Sequence, residues 1–162
     1  MSKEFCFDYN VQTETQASDA FEFQICDHLL KDLDKLNIMV IDDSPSDVQL
    51  FRDLLEIETE LNFSLDIWHK GPEALKHLSD LKNGGDKLKS PDLIILDFSM
   101  PSVNGVLVLE SIRKNIGIED IPIIIYSSSA SMELVKSLRS IKASAFFRKP
   151  LNVPEFMRFL GK

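Results

Sequence analysis

Five polar side chains in this sequence stand at or just beyond the end of a largely apolar run. Asp42 and Asp43 follow Asn37-Ile38-Met39-Val40-Ile41, and Asp97 follows Leu93-Ile94-Ile95-Leu96. Ser127 follows Ile123-Ile124-Ile125-Tyr126, and Lys149 follows Ala145-Phe146-Phe147-Arg148. Three carboxylates pressed together repel one another unless a cation joins them. Oxygen donors without His or Cys favour a hard ion, Mg²⁺ in a cell. Such an ion neutralises the charge that develops when a carboxylate takes up a phosphoryl group, and aspartyl-phosphate formation is a known reaction of Asp. A hydroxyl at Ser127 and a point charge at Lys149 suit the phosphoryl oxygens. Each residue alone has a plainer reading: an Asp that begins a turn or caps a helix, a turn Ser, a solvated Lys. Five such residues, all at the ends of apolar runs, are hard to explain as capping.

Whether the five meet depends on the elements that carry them. Short aliphatic runs of this kind fit strands covered on both faces. Phe63–Trp68 reads as one more strand. Helical spacing separates the runs: Val48, Phe51 and Leu55 after Ser44-Pro45, with Ser44 as N-cap and Pro45 at the first helical position; Ala74, Leu75 and Leu78 within Gly71–Leu81; Val108, Leu109 and Ile112; Leu134, Val135 and Leu138 within Met132–Arg139; and Val153, Phe156, Met157 and Leu160 at the end. Strands alternating with helices predict an α/β fold, a doubly wound five-stranded parallel sheet with right-handed connections. Its strands end on one edge, where such folds place their chemistry.

Residues 37–162 form this predicted domain. Residues 1–36 are an extension: 1–17 are polar and without period, and Ser18–Leu36 carries an apolar stripe (Phe21, Ile25, Leu29, Leu33, Leu36) that predicts an amphipathic helix. That helix is expected to pack on its own domain or on a second copy, as a homodimer. The chain has 162 residues and a net charge of −8, of which −5 lies in residues 1–36. No basic surface argues for direct nucleic-acid binding. Cys6 and Cys26 read as free thiols, and His28, His69 and His77 do not cluster with them as zinc ligands would. With no apolar run of membrane-spanning length and no signal-peptide profile, a cytoplasmic protein is expected.

The pattern Ile41-Asp42-Asp43-Ser44, Asp97-x-x-Met100-Pro101-x-x-x-Gly105, Ser127 and Phe147-Arg148-Lys149-Pro150 resembles the receiver domain of bacterial two-component response regulators. The resemblance covers about residues 37–161 and implies a flavodoxin-like sheet of order 2-1-3-4-5, the order of the chemotaxis member. It also implies that Asp97 is the phosphoacceptor, supplied by a histidine kinase, a histidine phosphotransfer protein or a small phosphodonor. Asp43, Asp97 and the backbone carbonyl of Ser99 would bind Mg²⁺ directly, and Asp42 mostly through water. Ser127 and Lys149 would engage the phosphoryl group. Phe146 takes the place of the switch aromatic that turns inward as Ser127 moves, and the Lys149-Pro150 bond is expected to be cis. The readout would lie on the fourth helix, fifth strand and fifth helix, in a stand-alone receiver without membrane attachment.

The sequence departs from that family in places. The interval from Asp43 to Asp97 is long, with the surplus assigned to Asn83–Ser90; Phe146 lacks the hydroxyl of the more frequent Tyr; and the N-terminal helix is additional. Two other readings compete. A haloacid-dehalogenase-type phosphohydrolase also uses an Asp after a buried strand, but wants a second Asp two residues on, where this chain has Ser99. A receiver-like interaction scaffold that is never phosphorylated would not need the complete acid set.

Overall fold

The computed structural model describes residues 20–22, 30, 33–84, 90–101, 103–116, 118, 120–128 and 131–162. Among them, six strands form one sheet: β1 (Ala20–Glu22), β2 (Leu36–Ile41), β3 (Phe63–Trp68), β4 (Leu93–Asp97), β5 (Ile123–Ser127) and β6 (Ala145–Arg148). The spatial order is β1-β6-β5-β4-β2-β3. β2 to β6 are parallel, so these five alone run 2-1-3-4-5, as expected. The intervening helices are α1 (Pro45–Glu58), α2 (Gly71–Lys82), α3 (Gly105–Glu110), α4 (Met132–Ser140) and α5 (Val153–Phe159). α3 widens into a π-helix over Ser111–Ile116. There the buried Arg113 donates to the carbonyls of Ile118, Ile121 and Lys142, tying the helix end to the start of β5 and the turn after α4. No helix of the described residues is long and apolar enough to cross a membrane.

Side chains alternate across a strand, so each strand feeds two cores. Ile38, Val40, Leu93, Ile95, Ile124 and Phe147 pack under α1 and α5, against Val48, Phe51, Leu55, Phe156 and Phe159. Met39, Ile41, Ile94, Leu96, Ile125 and Phe146 pack under α2, α3 and α4, against Ala74, Leu78, Val108, Ile112 and Leu138. Every residue of β4 and β5 is buried, as the unbroken aliphatic runs require of central strands in a covered parallel sheet. In α5 it is Phe159, rather than Met157, that is fully buried beside Phe156 and Leu160.

The N-terminal extension differs from its expectation. The predicted helix over Ser18–Leu36 does not begin at Ala20: residues 20–22 form β1, antiparallel to β6, with Phe21 opposite Phe146 in register. Leu36 opens β2 rather than closing a helix. The physical reason is the outer edge of β6, whose unpaired amides and carbonyls a strand satisfies, while a short helix gains little by itself. Leu30 is helical and buried, and Leu33 packs on the α1/α5 core, so this end of the stripe does pack on its own domain. Residues 1–19, with Cys6, and most of 23–32, with Cys26 and His28, lie outside the described residues, as does most of the Asn83–Ser90 loop.

Phe156 joins α5 to both Phe51 and Phe147 through edge-on ring contacts at 6.0 and 5.9 Å. Phe156→Ala is expected to cost about 3–5 kcal/mol. Urea unfolding checks this as a lower midpoint at unchanged slope.

Candidate functional site

The parallel register brings the strand ends together. Ile41 pairs with Leu96, Asp97 with Tyr126, and Ser127 with Arg148. The ladder runs one residue further: the amide of Asp42 donates to the Trp68 carbonyl at 3.0 Å, and that of Lys149 to the Ser127 carbonyl at 2.9 Å. Asp42, Asp97 and Lys149 therefore keep the parity of the strand residues that face α1 and α5. Ser127 has the opposite parity, the one it shares with Phe146.

Asp42, Asp43 and Asp97 each offer a carboxylate oxygen within 4.8 Å of the others. Asp42 is set by a local turn, its Oδ1 accepting from the Ser44 amide at 2.8 Å. Ser44 in turn caps α1, its Oγ accepting from the Asp47 amide at 3.3 Å, with Pro45 in the first turn as predicted. Asp97 Oδ1 accepts from the Ser99 amide at 3.0 Å. Gly105 lies so close to this loop that a Cβ there would stand 2.9 Å from the Phe98 Cα and 3.1 Å from the Asp97 carbonyl oxygen. Only glycine fits without displacing the backbone that carries Asp97. The Ser127 and Ser99 hydroxyls are 3.1 Å apart.

Lys149 reaches into this group, and the Lys149-Pro150 bond is cis, as expected. Its Nζ donates to Asp42 Oδ2 at 2.8 Å and to Asp47 Oδ2 at 2.8 Å, and lies 3.5 Å from Asp97 Oδ2. It also stands 5.2 Å from the centre of the Tyr126 ring. Sequence reasoning did not single out Asp47, whose only signal is its place in the first turn of a helix that starts at the site. Nor did it find His69, whose Nδ1 donates to the Asp42 carbonyl at 2.8 Å, or Tyr126, whose hydroxyl burial pushes up to about 12. His77 stacks on Trp68 with ring centres 4.8 Å apart, away from any metal cluster of the described residues.

Charge dominates the energetics. The Asp97 side chain is 5% exposed and that of Asp42 3%. Burial raises the Asp97 carboxyl above its ordinary value, and Asp42 adds to this, while the Ser99 amide and Lys149 pull the other way without prevailing. Burial alone would push the Lys149 ammonium down, but its bonds to Asp42 and Asp47 outweigh this and hold it well above the usual lysine range. A close set of hard oxygen donors, one of them disfavoured as a bare charge by its burial, suits a small divalent cation. Because the folded state raises the Asp97 carboxyl, Asp97 removes stability as the pH rises through that raised value. Asp97→Asn is therefore expected to melt higher than the wild type near neutral pH in chelator, the gap closing as acidification protonates Asp97. Thermal scans across pH check the sign.

Comparison with known proteins agrees with this geometry. The sequence profile of the response regulator receiver domain matches residues 38–160. The chain is 28% identical over 121 residues to the polar-differentiation response regulator DivK of Brucella ovis, covering 75% of this chain and 89% of that protein. It is 28% identical over 127 residues to the two-component response regulator ARR15 of Arabidopsis thaliana, covering 76% of this chain and 60% of that longer protein. The Mn(2+)-bound form of response regulator Rcp1 superposes with a TM-score of 0.58 at 23% identity, over 78% of this chain and 89% of that one. The matched family is a signalling domain rather than a classical enzyme, and not the haloacid-dehalogenase family of the alternative reading. With its profile spanning the whole α/β unit and its acids meeting at the sheet edge, the chain belongs to the response regulator receiver domain family.

Proposed function

We propose that this receiver domain accepts a phosphoryl group on Asp97 and passes the signal to a protein partner. The observation that carries the reading is the meeting of a buried Asp97 with two further carboxylates within 4.8 Å and an ammonium 3.5 Å away. Asp97 Oδ1 accepts from the Ser99 amide, and its Oδ2 lies 3.5 Å from the Lys149 ammonium. In the transfer, an Asp97 carboxylate oxygen bonds to phosphorus as the bond from phosphorus to the donor breaks. The donor is a phosphohistidine of a kinase or phosphotransfer protein, or a small acyl phosphate, and its leaving group departs with the electron pair. Asp43, Asp97 and the Ser99 carbonyl would hold Mg²⁺, with Asp42 acting indirectly, and the ion would neutralise the oxygens that gain charge. A response regulator of the same fold, Rcp1, has a Mn(2+)-bound form. Asp42 suits the indirect role because both its oxygens already accept, from Ser44 and Lys149.

Lys149 then binds the phosphoryl oxygens, and Ser127 leaves Ser99 to do the same. Ser127 and Phe146 share the sheet face under α2–α4, so a shift of Ser127 repacks Phe146 there. Phe146 is already fully buried in the resting state. The readout lies on α4, β6 and α5.

Acetyl phosphate with Mg²⁺ is expected to add one phosphoryl group to the wild type, read by intact mass, and none to Asp97→Asn. Equal gain by the variant would move the acceptor elsewhere. No gain by the wild type would leave the domain an interaction scaffold.

A further inference from the structure

Lys149 has two firm partners, and only one belongs to the acid trio. Asp47 holds the same ammonium at the same 2.8 Å as Asp42, closer than Asp97 at 3.5 Å. Its backbone is fixed at the first turn of α1, where Ser44 caps its amide. That helix end also favours its charge. Its side chain is 42% exposed, whereas that of Lys149 is 11% exposed. An ordinary surface pair joins two solvated side chains and does little. Here one partner is buried and its position matters to the chemistry.

We infer that Asp47 is a positioning residue, the resting counter-ion that draws Lys149 away from Asp97 and competes with the phosphoryl group for it. The inference rests on the phosphoacceptor reading. In the resting state Asp47 takes a share of the ammonium, leaving Asp97 and its neighbours negative enough to attract a divalent cation. Once a phosphoryl group stands on Asp97, the same carboxylate pulls Lys149 back from its oxygens. Asp47 therefore favours cation binding and opposes the phosphorylated state. Neutralising it frees Lys149 to lie nearer Asp97, which raises affinity for a phosphoryl-like anion and lowers affinity for the cation.

The test is calorimetric titration of the full chain with Mg²⁺ alone, then with beryllofluoride, a phosphoryl mimic, at saturating Mg²⁺. Asp47→Asn is expected to bind Mg²⁺ about two- to fivefold more weakly and beryllofluoride about two- to fivefold more tightly than wild type. Asp47→Glu, which keeps the charge, is expected to return both towards wild type. Asp53→Asn removes a charge further along α1, where Asp53 accepts from Gln49, and is expected to move neither. Unchanged constants in Asp47→Asn, shifts of the same sign, or equal shifts in Asp53→Asn would overturn the role. A wild type that binds Mg²⁺ but no beryllofluoride would instead defeat the phosphoacceptor reading, and this inference with it.

Discussion

Buried like charge is the constraint on which the rest of this structure depends. Asp42 and Asp97 are almost fully buried beside Asp43, and the ammonium of Lys149 reaches them. Removing a carboxylate from water costs several kcal/mol unless it is paired. The surrounding groups answer that cost piece by piece: the Ser99 amide on Asp97, the Ser44 amide on Asp42, and Lys149 between them. Asp97 still stays above its ordinary value. A site left short of positive charge in this way suits the proposed divalent cation. The tension that weakens the fold at this edge is the same one that gives the edge its chemistry.

The two-residue period of the strands divides the work. The charged residues continue the face that packs under α1 and α5, and α1 begins at the site with Ser44 and Asp47. Ser127 and Phe146 continue the face under α2, α3 and α4. The two faces meet at β5 and β6, whose ends are joined by the Lys149 amide on the Ser127 carbonyl. The far face is a close-packed apolar core. In the proposed switch, a hydroxyl and an aromatic ring on that face would carry the signal away from the acids.

β1 adds a constraint of its own. It pairs with β6 at Ala145, Phe146 and Phe147, so the extension is hydrogen-bonded to the strand that carries the buried aromatic and ends at Lys149. The edge that would otherwise be bare in a five-stranded sheet is covered. Edge strands offer unpaired backbone groups to any chain nearby, and here the protein's own N-terminal segment takes them.

The sequence alone determined the fold class and most of the acid set. Buried parallel strands must be apolar throughout, so their ends stand out wherever a charge follows, as Asp42 and Asp97 do. Ser44-Pro45 announced the start of α1 because capping is local, and Gly105 was visible as part of a motif, though its close approach to the Asp97 backbone was not. Tertiary structure decided what depended on distant partners. The apolar stripe after Ser18 is compatible with a helix, and only the free edge of β6 made residues 20–22 a strand. Asp47 looks like any first-turn acid until Lys149, about a hundred residues away in the chain, is folded against it. Local patterns report what a segment can do alone, whereas a pairing between remote residues exists only once the sheet has aligned their strands.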